Sequence, residues 1–164
     1  ALRRIDWAAA VYEYIGAYRT RVRSKNFVGK GEFFEPYDSF RFMFKDTSDD
    51  DDVIMANLTS LGDAFRRDWK RILAADAFFM NTDRHMRNFG VIRSSKTGDV
   101  LRLAPNFDNN QAYTANPGGF SANMLRLFVR SADAEDRENL KLLAGTCEGS
   151  KYLAAACQAY ASLC

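Results

Sequence analysis

The chain has 164 residues, of which 47% are hydrophobic and 27% are charged, a composition typical of one ordinary soluble domain. A chain of this length can bury a core without disulfides or a structural metal. Its 23 Lys and Arg residues nearly balance its 21 Asp and Glu residues, for a net charge of +2. A charge this small excludes any strong electrostatic case for nucleic-acid or membrane binding.

The three cysteines, Cys147, Cys157 and Cys164, have no zinc-ligand spacing, and His85 is the only histidine in the sequence. We therefore expect reduced thiols and a cytoplasmic location, where disulfides are rare. No segment reaches the roughly 20 apolar residues that a membrane span requires. We expect neither a membrane partner nor direct nucleic-acid binding.

The first 60 residues give weak signals. Residues 1–25 predict a helical or irregular start followed by a strand, because β-branched, aromatic and basic residues partly alternate from Val11 to Val22. The aromatic residues between positions 27 and 44 predict packed core rather than a nucleobase platform. The acidic run at positions 49–52 lacks the glycine and the terminal glutamate of an EF-hand, so we expect a solvated loop there.

Later elements are clearer. Apolar residues recur at three- and four-residue steps after Gly62-Asp63, which predicts a helix. Two apolar runs, 89–92 and 100–104, flank a polar turn and predict a β-hairpin. Further helices are expected from about Asp133 to Leu143 and from about Ser150 to Leu163. Without a repeat or linker, residues 1–164 are predicted to form a single domain.

The densest polar segments lie on either side of the predicted hairpin. They read Asn81-Thr-Asp-Arg-His-Met-Arg-Asn-Phe-Gly and Pro105-Asn-Phe-Asp-Asn-Asn. Because a hairpin returns the chain to its starting end, Asp83, Asn88 and Asp108 are expected to converge. Such a set suits Mg²⁺, which prefers oxygen ligands and whose coordination shell is completed by substrate phosphates. Protein kinases divide a catalytic Asp, a metal Asn and a metal Asp in this way.

The first of these segments, together with the run Leu103-Ala-Pro-Asn-Phe-Asp, resembles the HipA-like kinases, a bacterial branch of the protein-kinase-like fold, over residues 63–113. The resemblance implies a mainly α-helical α+β fold, a kinase-like C-lobe with a β-hairpin next to the catalytic loop. It implies Asp83 as the catalytic base or hydroxyl-orienting residue and Arg84 and His85 as groups that brace the loop. By the same resemblance, Asn88 and Asp108 are Mg²⁺ ligands.

Three neighbouring residues carry expectations of their own. Asp76 lies seven residues after Trp69, on or near the apolar stripe, where an unpaired carboxylate is costly. It is expected to accept hydrogen bonds from the catalytic loop or from Arg84, the alternative being an exposed helix edge. Asn109 is expected either to support Asp108 through a hydrogen bond or to form a turn. The His85 ring is expected to bond to backbone or to Asp108 rather than to transfer protons.

The resemblance further implies Mg²⁺-dependent transfer of the ATP γ-phosphoryl group to a protein Ser or Thr hydroxyl. It also implies a toxin-type or regulatory kinase with an antitoxin partner. No glycine-rich loop or strand lysine is recognisable, so we expect an N-lobe outside this chain, with residues 1–30 a candidate for its end. Such a chain is expected to be weak or inactive alone.

Two alternatives remain open. The first is a non-catalytic kinase relic that serves as an interaction module and need not keep the three polar side chains together. The second is a phosphoinositide-type lipid kinase, which shares the Asp-Arg-His order of residues 83–85. The lack of a basic patch for anionic head groups counts against the lipid kinase.

Overall fold

The computed structural model describes residues 2–15, 21–109, 120–147 and 154–163. The chain divides into two compact units. A helical unit comprises Ala1–Trp7, Arg66–Arg84 and Asp108–Cys164, and a sheet unit comprises Ala8–Phe65 and His85–Phe107. The prediction of a single domain over residues 1–164 stays a prediction.

The described residues form an α+β structure, as expected. The strands are β1 (Tyr12–Ile15), β2 (Arg21–Ser24), β3 (Glu32–Pro36), β4 (Gly90–Ser94) and β5 (Val100–Leu103). The α-helices are α1 (Tyr37–Phe40), α2 (Asp51–Ser60), α3 (Asp63–Phe79), α4 (Phe120–Ser131), α5 (Ala134–Gly145) and α6 (Ala154–Ala161). Short 3₁₀ helices cover Leu2–Ile5 and Arg41–Met43.

The predicted hairpin is present as β4 and β5, and β3 completes a three-stranded antiparallel sheet in the order β3-β4-β5. Gly90 pairs with Pro36 in this sheet. A Cβ atom at Gly90 would lie 2.2 Å from the Glu35 carbonyl oxygen and 2.7 Å from the Pro36 Cα. Only glycine therefore fits at this position, which fixes the junction between β4 and residues 80–89, the polar loop between α3 and β4.

The segment predicted as one strand between Val11 and Val22 is instead a two-stranded hairpin. β1 and β2 pair antiparallel, with Tyr12 opposite Ser24 and Ile15 opposite Arg21. The prediction of a single strand was wrong because the alternation continues across a chain reversal, and period-2 patterning alone does not mark where a strand turns.

The acidic run at positions 49–52 was predicted as a solvated loop, and this was wrong for its second half. Asp50 is the N-cap of α2, where its carboxylate accepts the Asp52 backbone N–H at 2.9 Å. Asp51 and Asp52 occupy the first helical turn. Acidic side chains there cap free N–H groups and complement the helix dipole, so the run begins a helix.

The aromatic residues at positions 27–44 are only partly core. Tyr37 and Phe40 are fully buried, whereas the Phe42 side chain is 69% exposed. Tyr37 stacks on Phe89 with ring centroids 4.9 Å apart, so this segment packs against the residue that precedes β4.

The helical unit is built on α3, which begins at Asp63 as predicted. Its buried face carries Trp69, Ile72 and Phe78. Helix α5 begins with a capping box, in which the Asp133 carboxylate accepts the Asp136 N–H at 2.9 Å and the Asp136 carboxylate accepts the Asp133 N–H at 3.2 Å. Of the last predicted helix, the described part is α6, and residues 150–153 lie outside the described residues.

The expectation of reduced cysteines was wrong for two of the three. Cys147 and Cys157 form a disulfide, with Cα atoms 6.5 Å apart and a sequence separation of 10. Cys147 lies directly after α5 and Cys157 lies within α6, and their closeness is something that cysteine spacing alone does not reveal. The step from unpaired cysteines to a cytoplasmic location therefore fails. Among the described residues, no helix is both long and apolar enough to cross a membrane.

Candidate active site

The polar loop begins at the C-terminal end of α3. Met80 has a left-handed backbone (φ +57°), and the Asn81 N–H donates to the Asp76 carbonyl oxygen at 2.9 Å. This 6→1 bond across a left-handed residue is the geometry of a Schellman motif, usually built on glycine. It ends the helix sharply and holds Asn81 beside the last turn.

Asp76 is 5% exposed, and its carboxylate is the centre of a buried hydrogen-bonded cluster. Oδ2 accepts from Arg84 Nε at 2.7 Å, and Oδ1 accepts from Arg84 Nη2 at 2.8 Å and from Asn81 Nδ2 at 2.9 Å. The expected Asp76–Arg84 pair is confirmed. Its two planar groups meet through two parallel bonds, the geometry that gives an Arg–carboxylate pair its directionality.

Arg84 also reaches the segment that follows the hairpin. Its Nη2 donates to Asn109 Oδ1 at 2.7 Å. The expected partner of Asn109 was Asp108; the structure instead shows the Asn109 side chain bound to Arg84. A guanidinium carries five donors in a rigid fork, so one side chain can serve both Asp76 and Asn109.

The two predicted carboxylates of the helical unit each adjoin this cluster in sequence. Asp83 precedes Arg84, and Asp108 precedes Asn109; both are partly exposed. Asp108 has a left-handed backbone (φ +55°), a conformation that costs energy outside glycine and that clusters at functional sites. The Arg84–Asn109 bond thus ties together the two segments that carry Asp83 and Asp108.

His85 and Asn88 belong to the sheet unit. The His85 side chain is exposed, and its Nδ1 accepts the Arg87 backbone N–H at 3.2 Å. The expectation that the ring bonds to backbone is confirmed. An accepting Nδ1 places the proton of the neutral ring on Nε2.

Asn88 is 5% exposed, and its backbone N–H donates to the His85 carbonyl oxygen at 2.8 Å. The surrounding loop is anchored to the start of α1 on both sides. The Asp38 N–H donates to the Met86 carbonyl and the Tyr37 N–H donates to the Phe89 carbonyl, each at 3.0 Å. The backbone around the buried Asn88 side chain is therefore held in place, as a metal-binding residue needs.

Asn81 belongs to the first polar segment, but no role was predicted for it. Its side chain is 1% exposed, and its Oδ1 has no hydrogen-bond partner among the described residues. The bond from Nδ2 to the Asp76 carboxylate fixes the amide orientation, because the flipped amide would set two oxygens together. The signal available in the sequence was its position directly after a helix that ends in a buried carboxylate.

The three side chains predicted to act on the metal or the substrate all offer oxygen donors. Asp83, Asn88 and Asp108 offer carboxylate and amide oxygens, which suit Mg²⁺ better than a transition metal. In the part of the chain that the structure describes, no group of three or more His, Cys, Asp or Glu side chains is arranged to hold a metal.

A scan against protein-family models and searches of curated proteins and of solved structures gave no match to this chain.

Proposed function

We propose that this chain is the C-terminal catalytic domain of a HipA-like serine/threonine protein kinase, which transfers the ATP γ-phosphoryl group to a protein hydroxyl. One observation carries the proposal. Arg84 donates to Asn109 at 2.7 Å, which links the loop that bears Asp83 to the segment that bears Asp108. Phosphoryl transfer depends chiefly on positioning and electrostatics, so a rigid link between two carboxylate-bearing segments is what this chemistry requires.

In this proposal Asp83 orients the substrate hydroxyl and accepts its proton. Asp83 is partly exposed, so a protein substrate can reach it. The neighbouring Arg84 side chain is 8% exposed and is fixed on Asp76. This bracing limits the movement of the Asp83 backbone and preserves the alignment that proton transfer needs.

Asn88 and Asp108 would hold Mg²⁺, which when bound neutralises charge on the ATP phosphates. Asn88 is buried on an anchored loop. Asp108 is held in a left-handed conformation, and its neighbour Asn109 is tied to Arg84. Both side chains therefore have backbones that are fixed in advance of any ligand, which lowers the entropy cost of binding.

The proposal keeps two expectations of the resemblance. A separate N-lobe holds the ATP phosphates, so this chain alone is weak or inactive, and an antitoxin protein is a candidate partner. No glycine-rich loop or strand lysine that would hold the ATP phosphates is recognisable in the sequence. Without groups that position the phosphates, the rate of phosphoryl transfer falls by orders of magnitude.

The test is metal-dependent nucleotide binding by the full-length protein that contains this chain. Mn²⁺ serves as a paramagnetic substitute for Mg²⁺, and its binding with a non-hydrolysable ATP analogue is followed by water-proton relaxation. We expect Asp108→Asn to weaken Mn²⁺ binding at least tenfold in the presence of nucleotide. Asp99→Asn is the matched control, because Asp99 is an exposed residue of the hairpin turn.

Equal Mn²⁺ affinity in the wild type and in Asp108→Asn would overturn the assignment of Asp108. If the wild type binds no metal–nucleotide complex at all, the kinase proposal fails and the non-catalytic interaction module replaces it.

A further inference from the structure

The disulfide of the helical unit connects helix α5, which is stable without it, to helix α6, which is not. Cys147 follows the C-cap of α5, and Cys157 lies within α6. Both residues are partly exposed, and thiol–disulfide exchange with small molecules requires such access.

Helix α5 does not need the disulfide to end where it does. The Thr146 hydroxyl donates to the Leu143 carbonyl at 2.6 Å, and the Cys147 N–H donates to the Ala144 carbonyl at 3.0 Å. The described part of helix α6, Ala154–Ala161, has 8 residues, and isolated helices shorter than about 12–15 residues are marginal in water. The disulfide therefore stabilises mainly α6.

Helix α6 packs on the part of α3 that precedes the polar loop. Tyr160 lies against Phe78, with ring centroids 6.1 Å apart, and Ala156 is fully buried. Phe78 belongs to the last turn of α3, which is closed by the bond from the Asn81 N–H to the Asp76 carbonyl. Asp76 in the same turn holds Arg84. Through this packing, the stability of α6 affects the last turn of α3 and with it the Asp76–Arg84 pair that anchors the polar loop.

We propose that the Cys147–Cys157 pair is a thiol–disulfide switch that controls how firmly α6 holds the Asp76–Arg84 anchor. In the oxidising direction a Cys thiolate attacks a low-molecular-weight disulfide such as oxidised glutathione, forming a mixed disulfide and releasing one thiol. The second Cys thiolate then displaces the other thiol. Overall, two protein thiols and one small disulfide become one protein disulfide and two small thiols, and the reverse reaction reduces the pair.

This inference is independent of the kinase proposal, because it concerns the stability of the anchor and not the reaction. The disulfide closes a short loop, and the loss of that cross-link releases α6 without removing any buried contact of α5. Reduction is expected to loosen the last turn of α3 and to leave the sheet unit unchanged.

The experiment uses the chain in a Cys164→Ser background, which prevents exchange with the third cysteine. Samples are equilibrated in glutathione buffers of varied reduced-to-oxidised ratio, and the fraction of disulfide is measured by alkylation and mass spectrometry. Amide hydrogen exchange is measured on the same samples. The backbone N–H of Asn81 is the reporter, because its hydrogen bond to the Asp76 carbonyl exists only while the last turn of α3 is closed.

We expect Cys147 and Cys157 to change completely from disulfide to dithiol as the glutathione buffers become more reducing. In the dithiol form, the Asn81 amide and the α6 amides should exchange at least tenfold faster, while β4 amides exchange at the same rate. Cys147→Ser should resemble the reduced chain at every ratio. Tyr160→Ala should keep the disulfide but lose the redox response at Asn81, because it removes the contact with Phe78.

Three results would overturn the proposal. The first is the absence of a disulfide at any ratio, and the second is a disulfide that persists in fully reduced buffer, which would make it a static cross-link. The third is an unchanged Asn81 exchange rate after reduction of wild-type cysteines. That last comparison needs no substitution at Cys147 or Cys157, so it stands even if Cys147→Ser fails to fold.

Discussion

Arg84 and Asn109 are 25 residues apart in sequence and are joined by a 2.7 Å hydrogen bond between Nη2 and Oδ1. The same Nη2 lies 2.8 Å from Asp76 Oδ1. One guanidinium therefore connects the last turn of α3, the polar loop and the segment after the hairpin. The account of the site depends on this connection, because it joins the backbone next to Asp83 to the backbone next to Asp108.

Removal of the Asp76 carboxylate should destabilise the chain strongly. Both side chains of the Asp76–Arg84 pair are less than one tenth exposed, at 6% and 8%. Loss of one partner from a buried pair leaves an uncompensated charge and costs about 3–5 kcal/mol. We expect Asp76→Ala to lower the free energy of unfolding by that amount in a urea titration followed by circular dichroism.

Asp68→Ala is the matched control, because Asp68 lies on the same helix and pairs with Arg71 at 3.2 Å. That pair is about one-third exposed on each side, at 37% and 34%, so its loss should cost no more than about 1 kcal/mol. Equal losses for Asp76→Ala and Asp68→Ala would show that the buried cluster does not anchor the loop.

The sequence predicted this cluster in part. An unpaired Asp76 carboxylate on an apolar stripe would be costly, so a partner was expected, and Arg84 was the nearest cation in the following loop. The role of Asn109 could not be predicted, because residue spacing does not reveal that its side chain meets Arg84, 25 residues away in sequence. Asn81 was missed since the left-handed end of α3 falls on Met80, where no glycine marks it.

Local signals explain which elements were predicted. The apolar stripe of α3 and the capping residue Asp133 of α5 are short-range features, and both helices are present where expected. Helix α2 was missed because acidic residues favour both solvated loops and helix N-termini. The disulfide was missed because a sequence separation of 10 does not by itself show that the folded chain brings Cys147 and Cys157 together.

Gly90→Ala should destabilise the sheet unit. The added methyl group would meet the backbone of β3, at 2.2 Å from the Glu35 carbonyl oxygen, and backbone cannot move aside as a side chain can. Overpacking of this kind costs about 1–3 kcal/mol, and a contact with backbone belongs at the upper end. The measurement is the midpoint of urea unfolding.

Gly145→Ala provides the comparison, since a Cβ atom there meets nothing within 4 Å and the residue ends α5. Alanine in a helix is favoured over glycine by about 0.5–1 kcal/mol, so this variant should be as stable as the wild type or more so. A Gly90→Ala chain with wild-type stability would mean that β3 and β4 are not paired in the register described.

Acid should weaken the start of α5. The hydrogen bond from Lys70 and the Asp136 N–H hold the pKa of Asp133 at about 2, below its ordinary value of 3.8. A lowered pKa means that this stabilisation is complete above about pH 4 and is lost as the pH falls through 2. Burial raises the pKa of Asp136, so its charged form costs stability at neutral pH and its protonation opposes the loss.

Asp133→Asn isolates the charge, because asparagine caps a helix as well as aspartate does. The Asp133 side chain is 60% exposed, so the expected loss at pH 7 is only about 1 kcal/mol. The difference from wild type should shrink as the pH is lowered from 4 to 2. Glu138→Gln, in an exposed pair on the same helix, should leave the pH profile unchanged; a difference between Asp133→Asn and wild type that is constant with pH would contradict this account.

Kinase activity is measured as transfer of labelled γ-phosphate from Mg²⁺-ATP to the protein itself or to a generic Ser/Thr substrate. The full-length protein containing this chain is compared with its Asp83→Asn, Asp108→Asn and Asp99→Asn variants. We predict transfer by the wild type and by Asp99→Asn, and a loss of at least 100-fold, about 2.7 kcal/mol, in each of the other two. No transfer by the wild type, or equal transfer by all four proteins, would contradict the assignment of this chain as a kinase catalytic domain.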